Sequence, residues 1–243
     1  MSDRFFSSTP IEFTASGDTL VRLEATEAHH LMHVMRLGVG ARVTLFDGSG
    51  AEFAAEVKEL SRRDAVLAVL SREEISREPP VEIHLVVAMP KGDRQKVLVE
   101  KLTELGVARL TPVVTDHGVV ELRASALQKL RRAVIEASKQ CGRNRLMQID
   151  EPQPLNDFLK ADLPAERLIA HPGGEPLGAV LSGGPLPGAS TMLVGPEGGF
   201  SEAEVQQALA SGWRQVSLGG SILRIETAAI SLAATRAILG RSG

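Results

Sequence analysis

The sequence predicts an α/β protein in which a mostly parallel sheet follows a small β-barrel. Two observations lead to this fold class: the first seventy or so residues contain only short strand-like segments and one helix, whereas strands and helices alternate from about residue 80 onward. A chain of 243 residues with 43% hydrophobic content can bury the core that two such units need. We place a barrel domain at residues 1–72 and an α/β domain at residues 73–243.

Short apolar segments predict the strands of the barrel. Their residues alternate or cluster, and they are Thr19–Leu23, Arg42–Phe46, Ala51–Val57 and Ala65–Leu70. A turn of sequence DGSG, Asp47–Gly50, separates two of them. One helix interrupts the strands, with Thr26 as its expected N-cap and Gly38 as its expected end. Residues 71–80 are polar and contain prolines, which indicates a linker.

Strands and helices alternate in the second half. The predicted strands are Ile83–Met89, Arg109–Val114, Arg167–Ala170 and Thr191–Val194. The predicted helices cover residues 93–105, ended by Gly106, and residues 125–141, and a last apolar helix begins near Glu226. This alternation is typical of a parallel sheet covered by helices on both faces.

Composition narrows the function classes. No stretch of eighteen apolar residues and no secretory signal occurs, so we expect a cytoplasmic protein without membrane contact. A single cysteine, Cys141, excludes an internal disulfide, and we read it as a packed helix residue. His29 and His33 share a helix face at i, i+4 spacing, but no Glu follows His29 as the H-E-x-x-H motif requires, so we predict no metal site.

The charge distribution is uneven. The formal net charge is -3, yet the segment from Lys91 to Arg145 holds twelve Lys or Arg against six Asp or Glu. Solvated helix faces and a footprint for RNA phosphates both account for this segment, and the charge alone does not decide between them.

Two glycine-containing loops predict a ligand site. Leu193–Phe200 lies between a strand and a helix that begins with a capping box of Ser201 and Glu204. Ser217–Ala233 again leads from a short strand through paired glycines into a helix. The first loop does not have the spacing of a mononucleotide or dinucleotide phosphate loop, and a tight strand-to-helix turn is the alternative for it. Two glycine loops near the carboxyl edge of one sheet nevertheless predict a binding cleft there.

Five ordered motifs carry a resemblance to a known family. They are HHLMHVMRLGVGARVTLFDGSG (His29–Gly50), MPKGDRQKVLVEKLTELGV (Met89–Val107), EASKQCGRN (Glu136–Asn144), LVGPEGGFSEAE (Leu193–Glu204) and LGGSILRIETA (Leu218–Ala228). Over nearly its whole length the chain resembles the RsmE family of ribosomal RNA methyltransferases.

The resemblance implies a PUA-like RNA-binding barrel, a SPOUT methyltransferase domain with a C-terminal trefoil knot, and a homodimer with active sites at the subunit interface. It implies S-adenosylmethionine as cofactor and methylation of N3 of a U1498-type uridine in 16S RNA of the small ribosomal subunit. Two alternatives stay open: a non-catalytic RNA-binding or ribosome-assembly module, and a SPOUT methyltransferase that acts on another RNA.

The family pattern assigns roles to single residues. The residues expected to bind the cofactor are His171, Gly195, Pro196, Gly198, Gly199, Leu218, Gly219 and Leu223. Arg224 is the expected catalytic residue, since a guanidinium against a uracil carbonyl stabilises the developing anion; an ion pair with Glu226 is the alternative. Glu197 is a second catalytic candidate, with capping of its own helix as the alternative. The expected RNA contacts are Arg36, Lys91, Arg94, Arg131, Arg132 and Arg143.

Two positions depart from the family pattern. His117 stands where we expect Arg, which puts one phosphate contact in doubt because neutral His carries no charge. Ile225 stands where we expect Thr, so any role of that hydroxyl is absent or lies elsewhere.

Overall fold

The structure is a computed structural model that describes residues 3–14, 19–120, 122–163, 166–182 and 188–239. Its chain divides into two compact units. The first contains the residues up to Glu78 together with Ile135–Leu146, and the second contains Pro79–Val134 and the residues from Met147 onward. None of the helices in the described ranges is long and apolar enough to cross a membrane.

The first unit is built on a five-stranded sheet. Its strands are β1 (Arg4–Phe6), β2 (Leu20–Leu23), β3 (Arg42–Phe46), β4 (Ala51–Leu60) and β5 (Ala65–Glu74). Their order is β1-β3-β4-β5-β2, with β1 parallel to β3 and the other neighbours antiparallel. The predicted β-rich unit is therefore present, and β1 is a strand that the sequence pattern did not indicate.

The helix of this unit differs from its prediction at both ends. Helix α1 (Ala25–His29) begins after Glu24, whose backbone is extended and whose carbonyl accepts the N–H of Ala28, so Thr26 lies inside the helix and its prediction as N-cap is wrong. The chain continues as a π-helical turn, His30–Val34. The helical segment ends at Val34, before the expected end at Gly38, and Arg36 then takes a left-handed conformation with φ of 56°.

The second unit contains a parallel sheet. Its strands are β6 (Glu82–Val87), β7 (Arg109–Val114), β8 (Gln148–Ile149), β9 (Gln153–Pro154), β10 (Glu166–Pro176), β11 (Ala189–Val194) and β12 (Arg214–Ser217). The order is β12-β10-β11-β6-β7-β8, β9 pairs with β7, and all of these pairs are parallel. A parallel sheet of this kind is covered by helices on both faces, so the observed pairing confirms the predicted fold class.

Helices connect and cover these strands. They are α2 (Arg94–Glu104), α3 (Ala124–Cys141), α4 (Leu155–Phe158), α5 (Leu177–Leu181), α6 (Glu202–Ala210) and α7 (Ile225–Leu239). Helix α7 packs on α2 and on the central strands β6 and β11. On the other face, Phe158 and Trp213 belong to a core that includes Val86 and Leu193.

The chain crosses the sheet out of sequence order in its last third. Strand β12 pairs with β10 at the edge of the sheet, although β11 lies between them in sequence. After β12 the chain returns to the central strands through α7. The predicted trefoil knot would lie in this part of the chain, and it stays a prediction.

Candidate functional site

Three loops lie toward the carboxyl ends of β12, β10 and β11, which are neighbours in the sheet; two follow their strands and one interrupts β10. Parallel strands bring their carboxyl ends to one edge, so these loops face the same region. They contain all the residues that the sequence analysis assigned to the cofactor. The first loop is formed by residues 171–174, the second by residues 195–200 and the third by residues 218–224.

The first loop is a bulge inside β10. The register with β12 shifts between Ala170 and Glu175, which both pair with Val216, so the residues between them leave the ladder. The Nδ1 atom of His171 accepts the backbone N–H of Gly173 at 3.1 Å. A Cβ at Gly174 would lie 2.5 Å from the backbone nitrogen of Val216, so only glycine fits this close approach.

The second loop is the glycine-rich segment. Within it, the backbone N–H of Gly199 donates to the carbonyl of Pro196 at 2.9 Å, and Gly199 has a φ of 74°. A Cβ at Gly195 would lie 2.8 Å from the ring of Phe200. Helix α6 then begins with the predicted capping box, in which Ser201 and Glu204 bond reciprocally. The structure thus confirms the strand, turn and cap that the sequence indicated here.

A loop after β7 supports the glycine-rich segment, and the sequence analysis missed this role. The carboxylate of Glu204 accepts the N–H groups of both Ser201 at 2.8 Å and Asp116 at 2.9 Å. The hydroxyl of Ser201 donates to Asp116 at 2.6 Å. His117 donates through Nδ1 to the carbonyl of Gly199 at 3.1 Å. The only sequence signal was the departure of His117 from the family pattern.

Arg94, at the start of α2, brings two carboxylates together. Its guanidinium lies 3.3 Å from Glu197 of the glycine-rich loop and 3.7 Å from Glu226 in the first turn of α7. Glu197 contacts Arg94 and does not cap α6, because Ser201 is the N-cap. The group carries one positive and two negative charges, so its formal charge is negative.

Arg224 lies in the third loop, directly before α7. Its side chain is exposed and forms no ion pair or hydrogen bond with any residue in the described ranges. Glu226 pairs with Arg94, so the alternative of an Arg224–Glu226 ion pair does not describe this structure. Ile225, which stands where the family pattern has Thr, is 3% exposed and begins α7. Its side chain therefore packs in the core.

The edge has the properties that a compact cationic cofactor requires. Leu218 and Leu223 are half-buried apolar side chains, and a Cβ at Gly199 or Gly219 would meet no atom within 4 Å, so a ligand can approach the backbone there. The negative formal charge of the Arg94 group suits a ligand that carries a sulfonium and an ammonium. These residues fit S-adenosylmethionine by chemistry.

The basic residues predicted to contact RNA have different surroundings. Arg36, Lys91 and Arg132 are exposed. Arg131 is also exposed but donates to the carbonyl of Ile149 at 2.8 Å. Arg143 is 3% exposed and its guanidinium bonds to both oxygens of Glu78.

A second polar group lies at the opposite, amino edge of the sheet. His84 on β6 contacts the hydroxyl of Thr111 through Nε2 at 2.7 Å. That hydroxyl donates its single proton to Asp150, so His84 is the donor in the first contact. Arg109 also pairs with Asp150, at 2.8 Å. His84, Arg109 and Asp150 border a cavity of about 230 Å³. Burial together with the positive charge of Arg109 lowers the pKa of His84 to about 4.

The described residues contain no group of three or more His, Cys, Asp or Glu arranged to hold a metal ion. His29 and His33 do meet, with ring centroids 4.7 Å apart. Their contact is a pair of rings on one helical segment and needs no bound ion.

Two family profiles match the chain. An RNA methyltransferase domain matches residues 77–237, and an RNA methyltransferase PUA domain matches residues 23–70. Among characterised relatives, ribosomal RNA small subunit methyltransferase E of Bacillus subtilis is 31% identical over 215 residues, covering 83% of each chain. The protein of the same name from Synechocystis is 30% identical over 227 residues, covering 91% of this chain and 74% of the relative.

Solved structures agree with these matches. Ribosomal RNA small subunit methyltransferase E from Neisseria gonorrhoeae, bound to S-adenosylmethionine, superposes with a TM-score of 0.88 at 30% identity and 98% coverage of both chains. A protein from Legionella pneumophila in complex with the same cofactor gives a TM-score of 0.88 at 31% identity, covering 97% of this chain and 96% of that one.

Proposed function

The chain belongs to the RsmE family of ribosomal RNA methyltransferases, and from this premise we propose that it methylates N3 of a U1498-type uridine in 16S RNA, with S-adenosylmethionine as methyl donor. One observation carries the proposal: three loops that hold the family's cofactor residues meet at the carboxyl edge of neighbouring strands. Two relatives about 30% identical, with TM-scores of 0.88, were solved with this cofactor bound.

Different residues of these loops bind different parts of the cofactor. Backbone groups of Gly195, Gly198 and Gly219 bind its adenosyl part, beside the apolar side chains of Leu218 and Leu223. Glu197 attracts its positive charge. When bound, the cofactor supplies a methyl group on a sulfonium. The chain has to orient the uracil and to stabilise the anion that forms when the N3 proton leaves.

Arg224 is suited to stabilising the uracil anion. Its guanidinium is exposed and unpaired within the described residues, so no internal ion pair has to break before it meets a substrate. Placed against a uracil carbonyl, a planar guanidinium stabilises the negative charge that develops as the N3 proton leaves. Ile225 beside it is a core residue and takes no part.

Mass spectrometry of 16S RNA tests the function. Small subunits from a strain that lacks the gene are incubated with the purified protein and S-adenosylmethionine, and the RNA is digested and sequenced. We expect one N3-methyluridine at the U1498-type position. A ribose methylation, or a methyl group only on transfer RNA, would favour the alternative of another SPOUT activity. Calorimetry that detects no cofactor binding would favour the non-catalytic module.

Exposed basic residues in each unit are assigned to RNA binding. We assign Arg36, Lys91 and Arg132 to phosphate contacts because their side chains are exposed, and Arg131 because only part of its donor set is used within the chain. Arg143 is left out, since its guanidinium is buried against Glu78. Because the proposed substrate is ribosomal, we also expect a cytoplasmic location.

Homodimer formation is a further part of the proposal. Helix α7 buries one face against α2, β6 and β11, so much of its apolar surface has cover within the chain. Ile222, in the Arg224 loop, is 91% exposed and Ile238 is 65% exposed, and both would gain cover at an interface beside the site. Light scattering should give twice the mass of one chain, and an active monomer would contradict the dimer.

A further inference from the structure

We propose that Glu226 is the residue that accepts the N3 proton of the target uracil. The proposal rests on the proposed function, because only methylation at the imide nitrogen requires this proton to leave before the methyl group arrives. Arg224 stabilises the resulting anion but, as a cation, cannot accept the proton.

The first argument is an unused acceptor. The Oε2 atom of Glu226 is buried and accepts no hydrogen bond from any described residue. The side chain is only 12% exposed, and its one ion-pair contact, to Arg94 at 3.7 Å, is too long for a hydrogen bond. A buried carboxylate oxygen without a donor is costly, and a ligand that supplies the missing donor removes that cost.

The second argument is position. Arg94 touches both Glu226 and Glu197, so the unused oxygen lies close to the glycine-rich loop that holds the cofactor in the proposed function. Arg224, the residue assigned to the uracil carbonyl, is two residues before Glu226. A uracil presents its N3–H between two carbonyl groups, so a donor for Glu226 and an acceptor for Arg224 are adjacent atoms of one ring.

The proposed step balances. The N3–H bond breaks and an O–H bond forms at Oε2 of Glu226. The freed electron pair on N3 takes the methyl group, while the electrons of the breaking S–C bond remain on sulfur, which becomes a neutral thioether. The proton on Glu226 leaves to solvent after the product. Opening of the Arg94 contact exposes Oε2, and Arg94 is 35% exposed and held to Glu226 by charge alone.

The test compares three isosteric substitutions in the full chain. Glu226→Gln removes the proton acceptor, Glu197→Gln removes the other carboxylate on Arg94, and Glu202→Gln is a matched control in the exposed first turn of α6. Each variant is titrated with S-adenosylmethionine and with the product S-adenosylhomocysteine, which lacks the sulfonium charge. Single-turnover rates on unmethylated small subunits are measured across a pH series, and melting temperatures are recorded.

Glu226→Gln should lower the single-turnover rate by about 100- to 1,000-fold, with both cofactor affinities close to those of the wild type. Higher pH should partly rescue it, because solvent then removes the imide proton. The charged groups beside Glu226 are Arg94, which contacts it, and Glu197, which shares that contact. Its melting temperature should stay equal or rise, since an unbonded buried charge is lost. Glu197→Gln should instead weaken binding of S-adenosylmethionine more than binding of S-adenosylhomocysteine, because only the first carries a sulfonium.

Three results would overturn the proposal: normal turnover by Glu226→Gln, loss of turnover explained by cofactor affinity, or the same loss in the control. If Glu226→Gln does not fold, Glu226→Asp replaces it, because Asp keeps a proton acceptor. The Asp variant must then retain measurable turnover without rescue by high pH. Product analysis of the wild type separates this outcome from failure of the proposed function, which would yield a methyl group on an atom other than N3.

Discussion

Acidification should destabilise the second unit through His84, a residue that has no part in the proposed chemistry. Its imidazole is 9% exposed on β6 and packs edge-on against Phe158, with ring centroids 5.7 Å apart. It donates to Thr111, whose own proton goes to Asp150, so the neutral imidazole carries its proton on Nε2. Protonation of Nδ1 adds a second positive charge, beside the guanidinium of Arg109, to a mostly buried ring.

The size of the effect follows from the pKa of His84. Burial and Arg109 lower it from 6.5 to about 4 in the folded protein. As the pH falls below 6.5, the unfolded chain takes up this proton before the folded chain does, so stability decreases with falling pH and levels off below about pH 4. A difference of this size corresponds to about 3 kcal/mol at about 1.4 kcal/mol per pKa unit.

Urea unfolding at a series of pH values measures this loss. The single tryptophan, Trp213, is 3% exposed and lies 6.4 Å from Phe158, so its fluorescence reports on the core that contains His84. Other groups titrate over the same range, and His84→Gln provides the comparison because Gln keeps a donor but does not titrate. The stability difference between wild type and variant should shrink or reverse by about 3 kcal/mol between pH 7.5 and pH 4.

Two results would refute this reasoning. A stability difference that is the same at every pH would mean that His84 has the same pKa in the folded and unfolded chain. An NMR titration in which the His84 ring signal, assigned by its loss in His84→Gln, changes near pH 6.5 would mean that the site is hydrated.

Three further predictions concern the site and its RNA. Arg224→Lys keeps the charge but loses the planar fork, so the single-turnover rate should fall by about two to three orders of magnitude with cofactor affinity unchanged and partial rescue at high pH; normal turnover, or a failure to bind cofactor, would contradict it. Arg131→Glu combined with Arg132→Glu should weaken RNA binding and flatten its salt dependence while sparing cofactor affinity; equal RNA affinity at every salt concentration would identify a solvated helix face. Glu204→Gln leaves one acceptor for two backbone N–H groups and should reduce the free energy of unfolding by about 1–3 kcal/mol, whereas its exposed neighbour in Glu202→Gln should not; equal urea midpoints for both would contradict the bonding described.

The regular elements were predictable because their signals are local. The apolar run of β6, the capping box of Ser201 and Glu204 and the left-handed Gly106 after α2 each act within a few residues of sequence. The two glycine loops could be identified in the same way. Parallel pairing then brings them to one edge without further information.

The missed features depend on residues far apart in the chain. Arg94 and Glu226 are 132 positions apart, and no periodicity links them. The bulge in β10 arises from its register with β12, and the pattern of the strand alone does not contain that register. The π-helical turn after α1 also escaped prediction, since α- and π-helical apolar spacings differ little over five residues. Ion pairs and register shifts thus required the structure.

Glu204 bonds to two segments at once, and this limits how they can move. One carboxylate holds the start of α6 and the loop after β7, and His117 holds the same loop to the carbonyl of Gly199. Separating the two loops would leave one carboxylate oxygen of Glu204 and the backbone N–H of Asp116 unpaired, at a side chain that is 4% exposed. The loops therefore move as one body, and a ligand that orders the glycine-rich segment also fixes residues 115–118, which do not have to touch it.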